Sequence, residues 1–266
     1  MGKRLQEEQK LVLEEIQQIA DRENVDLILL AGDIFDTFNP SHEAVELLYK
    51  SLRRLSKGGK RPIIAISGNH DSTQFVEAPD PLARDMGIFF YGKYDTIIPI
   101  GKLDNGIEIT QSDEGFVEMN WKKIADQYCN EQGVNLFAGH FFFMKEGEKP
   151  EPEPESERPI LHVGGTQALF TRNIPSQIQY AALGHLHRYH AVGHEHCPVV
   201  YSSSPLAYSF SEADQEKQVV IIEGEPGKPV NYRPIGLKQG RPLFRRTFDN
   251  LPDTLAWLEE NPYCFV

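Results

Sequence analysis

Apolar positions along the chain change their spacing several times, and each change marks an element. Leu5, Leu11, Leu13, Ile16 and Ile19 recur at roughly helical intervals among Glu, Gln and Lys, which predicts an amphipathic helix over Leu5–Ala20. Asp26–Ala31 (DLILLA) is a short apolar run that stops at Gly32. A second helix is expected over Ser41–Leu55, capped by Ser41, with Ala44, Leu47, Leu48, Leu52 and Leu55 on its apolar face. Pro62–Ile66 (PIIAI) reads as the next buried strand. This strand–loop–helix–strand rhythm predicts an α/β sandwich whose loops follow the C-terminal ends of the strands.

Further on, Ile88–Tyr91 and Thr96–Ile100 read as strands ahead of a hairpin-like Asp104-Asn105-Gly106 turn. Trp121–Gln132 fits a helix, and Val134–Ala138 is a strand running into Gly139. Glu146–Pro159 (EGEKPEPEPESERP) is acidic and Pro-rich, the composition of an exposed, mobile loop. Tyr180–Leu183, Val199–Tyr201 and Gln218–Glu223 read as strands. From about Pro242 the character changes: Leu243–Phe248 is expected as a strand, Asp253–Glu260 as a short helix, and Tyr263–Val266 as the start of another strand. The expected division is therefore residues 1–240 as one domain and residues 241–266 as the start of a small second domain, cut short.

The composition narrows the class. Of 266 residues 40% are hydrophobic and 25% charged, as in soluble globular proteins. No apolar run reaches the roughly 20 residues that span a bilayer, and the opening MGKRLQEEQK lacks the apolar middle of a secretory signal, so the expectation is a cytoplasmic protein with no membrane partner. Cys129, Cys197 and Cys264 are odd in number and far apart, which fits free thiols better than a disulfide framework or a zinc ribbon. The net charge of −12 argues against broad nucleic-acid binding, unless bound cations and local Lys and Arg dominate the field at one site.

Four segments place His, Asp or Asn directly after predicted strands: Gly32-Asp33-Ile34-Phe35-Asp36, Gly68-Asn69-His70-Asp71, Gly139-His140 and Gly184-His185-Leu186-His187. Each joins a glycine, which lets the backbone turn, to a residue able to hold a metal. A Gly-His pair alone means nothing, and Gly-Asp or Asn-His-Asp can be plain turn chemistry. The ordered set of four at one sheet edge is far more specific. Its carboxylate, amide and imidazole donors suit Mn2+, Fe or Zn2+ better than Ca2+.

This ordered set resembles the calcineurin-like metallophosphoesterase superfamily, whose members cradle two metals between two sheets. The resemblance implies an α/β fold: a two-sheet metallophosphoesterase sandwich flanked by helices, followed here by a truncated small α+β C-terminal capping domain. It also implies roles. Asp33 would bridge both metals, Asn69, His140 and His185 would complete the second, and His187 would bind the first. His70 would be the catalytic acid or charge stabiliser over the scissile phosphate, with Asp36 and Asp71 orienting ligands behind them. The stretches Val163-Gly164-Gly165-Thr166, AALGHLHR, Val200–Leu206, Ser211-Glu212-Ala213 and Glu216–Val219 look like the SbcD branch of the Mre nucleases. That branch implies a Mn2+-dependent exonuclease on double-strand DNA ends and endonuclease on single strands, serving DNA repair, recombination and replication. Its partners would be DNA, an SbcC-like ATPase and a second copy of the nuclease subunit.

The chain departs from the family pattern at its start. The family opens with a strand and an Asp-x-His motif that supply two ligands to the first metal, and Met1–Leu5 resembles the residues just after that motif. The residues present would leave one metal with Asp33, Asn69, His140 and His185, and the other with only Asp33 and His187. A late start codon, a partial product or a natural remnant would each account for this, and impaired cleavage is expected. Two alternatives stay open: a phosphodiesterase for a small nucleotide, and a non-catalytic scaffold for DNA or the ATPase.

Other features weigh less. The stretch Tyr189–Cys197 (YHAVGHEHC) has no zinc-site spacing and reads as a polar loop. Arg53, Arg54, Lys57, Lys60 and Arg61 form a basic run, either a solvated helix end or a contact for phosphate or the partner. Phe141-Phe142-Phe143 reads as packing, with stacking on an unpaired base as the alternative.

Overall fold

The computed structural model describes residues 2–92, 107–110, 117–149, 169–193 and 196–261. Its elements in order are α1 (Gly2–Arg22), β1 (Ile28–Ala31), α2 (His42–Leu55), β2 (Ile63–Ile66), α3 (Thr73–Glu77), α4 (Asp80–Ala83), β3 (Ile88–Tyr91), β4 (Ile107–Thr110) and α5 (Val117–Tyr128). There follow β5 (Val134–Gly139), β6 (Phe143–Met144), β7 (Leu169–Phe170), β8 (Tyr180–Leu183), β9 (Tyr189–Val192), β10 (Val199–Ser202), β11 (Gln218–Glu223), β12 (Asn231–Gly236) and α6 (Leu251–Glu260). Ser41 caps α2 as the sequence predicts, its side chain accepting from the Ala44 N–H.

Two sheets face each other. β1, β2 and β3 form a parallel sheet in that order, and the second sheet runs β4-β5-β8-β10-β9, parallel except for its β9 edge. The period-two alternation of the strands assigns every layer. Ile28 and Leu30 with Ile63, Ala65 and Phe90 pack against Ala20 of α1 and Leu52 and Leu55 of α2. On the opposite face, Leu27 and Leu29 join Ile64 and Ile66 and also meet Val134, Leu136, Tyr180 and Val200 of the second sheet. Beyond that sheet Phe137, Ala181, Leu183, Val199 and Tyr201 pack with Trp121 of α5. A helix–sheet–sheet–helix sandwich results. Apolar residues on both faces of each sheet explain why these strands are continuous apolar runs in the sequence.

Several expectations need correction. Tyr189–Val192, expected within a polar loop, is β9: its residues pair antiparallel with β10, and the His190 ring stacks on Tyr201 with centroids 6.3 Å apart. His196 instead meets the Pro175 carbonyl at 3.1 Å, and His194 lies outside the described residues. Leu243–Phe248 is not a strand; the Asp214 N–H donates to the Leu243 carbonyl at 2.8 Å, and Asp214 also pairs with Arg246. The helix expected at Asp253–Glu260 is present as α6.

The basic run is largely structural. Arg61 is 2% exposed and donates to the carbonyls of Val25, Leu55 and Ala20 and to Asp21, while Lys57 also pairs with Asp21 and Arg54 with Glu14. Arg53 lines a shallow surface depression with Lys50 and Arg54. Phe141, Phe142 and Phe143 are all buried, so packing accounts for them. Cys197 is a free thiol, and burial pushes it up to about 12, which makes it inert. Thr96–Ile100, the Asp104–Gly106 turn, most of the acidic loop, Val163–Thr166 and Tyr263–Val266 lie outside the described residues. Among the described residues no helix is long and apolar enough to cross a membrane.

Candidate metal centre

The C-terminal ends of four parallel strands, two from each sheet, carry the predicted residues. β1 leads to Asp33, β2 to Asn69 and His70, β5 to His140, and β8 to His185 and His187. β5 and β8 pair in register at Gly139 and Leu183, and the Gly184 N–H donates to the Gly139 carbonyl at 3.0 Å. His140 and His185 therefore leave neighbouring strand ends, and their rings meet edge to face with centroids 5.5 Å apart.

The glycines do more than turn the chain. Gly32 does need its freedom, with φ at +85°, but a Cβ there would also lie 2.2 Å from His140 Nδ1. At Gly68 an added Cβ would fall 2.1 Å from Asp33 Oδ1, and at Gly184 it would fall 1.7 Å from the Ala31 carbonyl oxygen. Site side chains and the neighbouring strand occupy the space a side chain would fill. Asp33 and His185 themselves adopt φ values of 49° and 94°. Such backbone costs an L residue on the order of 1–3 kcal/mol, and it persists where surrounding packing over-determines it.

Hydrogen bonds lock the loops together. The Asp71 carboxylate accepts from the N–H groups of Ile34 (2.9 Å), Phe35 (2.8 Å) and Gly68 (2.9 Å), tying the β2 loop to the β1 loop. Burial pushes the Asp71 carboxyl above the ordinary range against the pull of those three N–H groups, and the charge of Asp33 adds to the rise. Asp33 Oδ1 accepts from the His70 N–H at 3.0 Å, and its Oδ2 lies 3.0 Å from His140 Nε2. His70 is buried, with Nδ1 3.2 Å from the Asp36 carbonyl oxygen and 3.5 Å from Asp36 Oδ1. The Asp36 side chain is 93% exposed, so its main chain is the closer hold on His70.

Asp33, Asn69, His70 and His140 are thus linked by direct contacts, and His185 joins them by packing on His140. His187 stands two residues further on, its Nδ1 3.0 Å from Glu212 Oε1. Glu212 accepts from Lys217 Nζ at 2.6 Å. Both lie in stretches that carry the family resemblance, but sequence reasoning assigns neither a role, because a Glu and a Lys five residues apart do not announce what they touch.

Whether these residues suit a cation turns on His140. Its Nδ1 lies 2.8 Å from the Ala31 carbonyl oxygen, so Nδ1 carries a proton. Its Nε2 then faces two oxygens, Asn69 Oδ1 at 2.8 Å and Asp33 Oδ2 at 3.0 Å. A neutral imidazole so placed turns its lone pair toward two other lone pairs, and either a second proton or a cation between the three atoms resolves the clash. Adjacent ligands around a cation with bonds of about 2.1 Å are themselves about 3.0 Å apart, close to the spacing observed. Among the described residues, no group of three or more His, Cys, Asp or Glu side chains is placed to hold a metal; the contacts described here include an amide, Asn69, beside Asp33 and His140. The donor set fits a divalent cation.

Comparison with known proteins bears on the same residues. The family model for the calcineurin-like phosphoesterase matches residues 6–198, a span that holds every one of these loops. The chain belongs to the calcineurin-like phosphoesterase family. This phosphoesterase is 34% identical to the SbcD component of the SbcCD nuclease of Bacillus subtilis (strain 168), the alignment covering 95% of this chain and 70% of that one. It is 31% identical to the corresponding SbcD component in Staphylococcus epidermidis (strain ATCC 12228 / FDA PCI 1200), over 91% of this chain and 67% of the other.

Proposed function

We propose that this calcineurin-like phosphoesterase is an SbcD-like DNA nuclease subunit, hydrolysing phosphodiester bonds as a double-strand exonuclease and single-strand endonuclease. One observation carries the reading: His140 Nε2, fixed from behind by the Ala31 carbonyl, faces the oxygens of Asn69 and Asp33. We assign Asp33 as the shared ligand, Asn69, His140 and His185 to one Mn2+, and His187 to the other. When bound, the cations supply Lewis-acid stabilisation of charge building on the phosphate. Asp71 keeps the Asp33 and Asn69 loops at a fixed separation. With Nδ1 of His70 held at the Asp36 carbonyl, Nε2 is the nitrogen that donates to, or stabilises, the leaving 3′ oxygen.

The partners in this reading are DNA, an SbcC-like ATPase and a second nuclease subunit, in the cytoplasm, with residues 1–240 as the catalytic unit and 241–266 opening a capping region. The residues of this chain provide four ligands to one cation and two to the other, so the 266-residue chain holds one Mn2+ tightly and cleaves weakly. The test counts Mn2+ per chain after gel filtration and follows an end-labelled duplex with and without the ATPase. One equivalent, lost in His140→Ala, is expected. Two tight equivalents with robust cleavage would overturn the impairment. No binding at all, or hydrolysis of small nucleotide diesters with DNA left intact, would overturn the nuclease reading.

A further inference from the structure

Outside the loops that carry the predicted ligands, a buried charged network among the described residues has no role assigned above. Glu212 is 1% exposed, and its Oε1 accepts from the Tyr208 N–H at 3.2 Å and lies 3.0 Å from His187 Nδ1. Its Oε2 accepts from Lys217 Nζ at 2.6 Å and from Ser204 Oγ at 3.3 Å. Lys217 Nζ also donates to the His187 carbonyl at 2.7 Å and to Ser204 Oγ at 2.9 Å. His187 is therefore gripped twice, at its ring by the anion and at its carbonyl by the cation of the same pair.

We propose that Glu212 and Lys217 are positioning residues that hold His187 in the tautomer with its proton on Nδ1, leaving Nε2 as the ligating nitrogen. The inference rests on the reading of His187 as a metal ligand and deepens it. A carboxylate beside Nδ1 selects the Nδ1–H form, because an oxygen facing a bare Nδ1 lone pair is repulsive. Lys217 makes the arrangement possible: a lone carboxylate buried this deeply would be strongly unfavourable, and the ammonium compensates it. The buried ion pair with Lys217 at 2.6 Å supplies the negative oxygen that orients the ring.

The tautomer is read directly by long-range 1H–15N correlation on the whole metal-free chain with 15N-labelled histidine, the His187 signals being assigned by their loss in His187→Gln. Wild type should show the single Nδ1–H pattern. The E212M/K217M double variant removes both charges together, so neither is left unpaired, and should lose that single pattern to a mixture of tautomers. Glu212→Gln, whose amide oxygen can still accept from Nδ1, should keep it. A wild-type spectrum with the proton on Nε2 overturns the inference even if no variant folds, as does an unchanged Nδ1–H pattern in the double variant. The functional reading fails separately: a fixed tautomer in a chain that takes up no Mn2+ removes the nuclease and leaves the positioning intact.

Discussion

Gly184→Ala asks whether close approach, rather than backbone freedom, is what the strand-end glycines contribute. The new carbon would sit 1.7 Å from the Ala31 carbonyl oxygen and 2.7 Å from His140 Nδ1. Carbon and oxygen tolerate about 3.0 Å at the closest, so the two strand ends must part by about 1.3 Å. The carbonyl cannot swing aside cheaply, since Ala31 is the last residue of β1 and pairs with Ile66 of β2. Overpacking of this kind costs about 1–3 kcal/mol. Loosening the contact between His140 Nδ1 and the Ala31 carbonyl adds about 1 kcal/mol. A loss of about 2–4 kcal/mol lowers Tm by roughly 5–15 °C in a chain of this size. Thermal melting followed by circular dichroism measures the loss, and Mn2+ titration of the folded variant at low temperature measures the site. A variant melting within about 2 °C of wild type, with Mn2+ uptake unchanged, would show that the two sheets do not meet here as closely as described.

Tyr201→Phe probes the segment after His140. The fully buried Tyr201 hydroxyl donates to the Phe141 carbonyl at 2.8 Å and accepts from the Phe143 N–H at 2.7 Å, so its removal takes a hydrogen bond from each of two buried residues. A loss of about 2 kcal/mol, read as a lower urea midpoint with unchanged m-value, is expected, and an unmoved midpoint contradicts it. Acid stability tests Glu212. Its folded pKa of about 2 lies below the ordinary 4.5, so its contribution is complete above about pH 4.5 and is lost as the pH falls toward 2. Denaturant titrations at pH 6 and pH 3 should show a smaller loss for E212M/K217M than for wild type, and equal losses would contradict the assignment.

The core strands were legible because each lies in a sheet buried on both faces. Ile63–Ile66 is apolar throughout, and its alternate residues feed two different layers. At the margins the outcome was mixed: Ile88–Tyr91 and Gln218–Glu223 were legible, other edge strands were not. β9 is short, mixes Tyr189 and His190 with Ala191 and Val192, and pairs with β10. β12 carries Pro234, which an edge position tolerates but a sequence pattern discourages. At the site, His140 and Ala31 are 109 residues apart, so their contact is a property of the fold that no local pattern could announce. The four loops were readable as a set because glycine and a metal-capable side chain recur in each. Glu212, Lys217 and Tyr201 lack such a signature; their roles depend on what tertiary packing brings beside them.

Register has a consequence for how this architecture can diversify. The spacing of His140 and His185 follows from the ladder between β5 and β8, not from the length of chain joining them. The acidic, Pro-rich part of that connecting stretch can lengthen, shorten or change composition without moving either imidazole, provided the two strands still align. The reverse does not hold: a slip of a single residue between these strands would carry one histidine to the opposite face of its sheet and dismantle the pair.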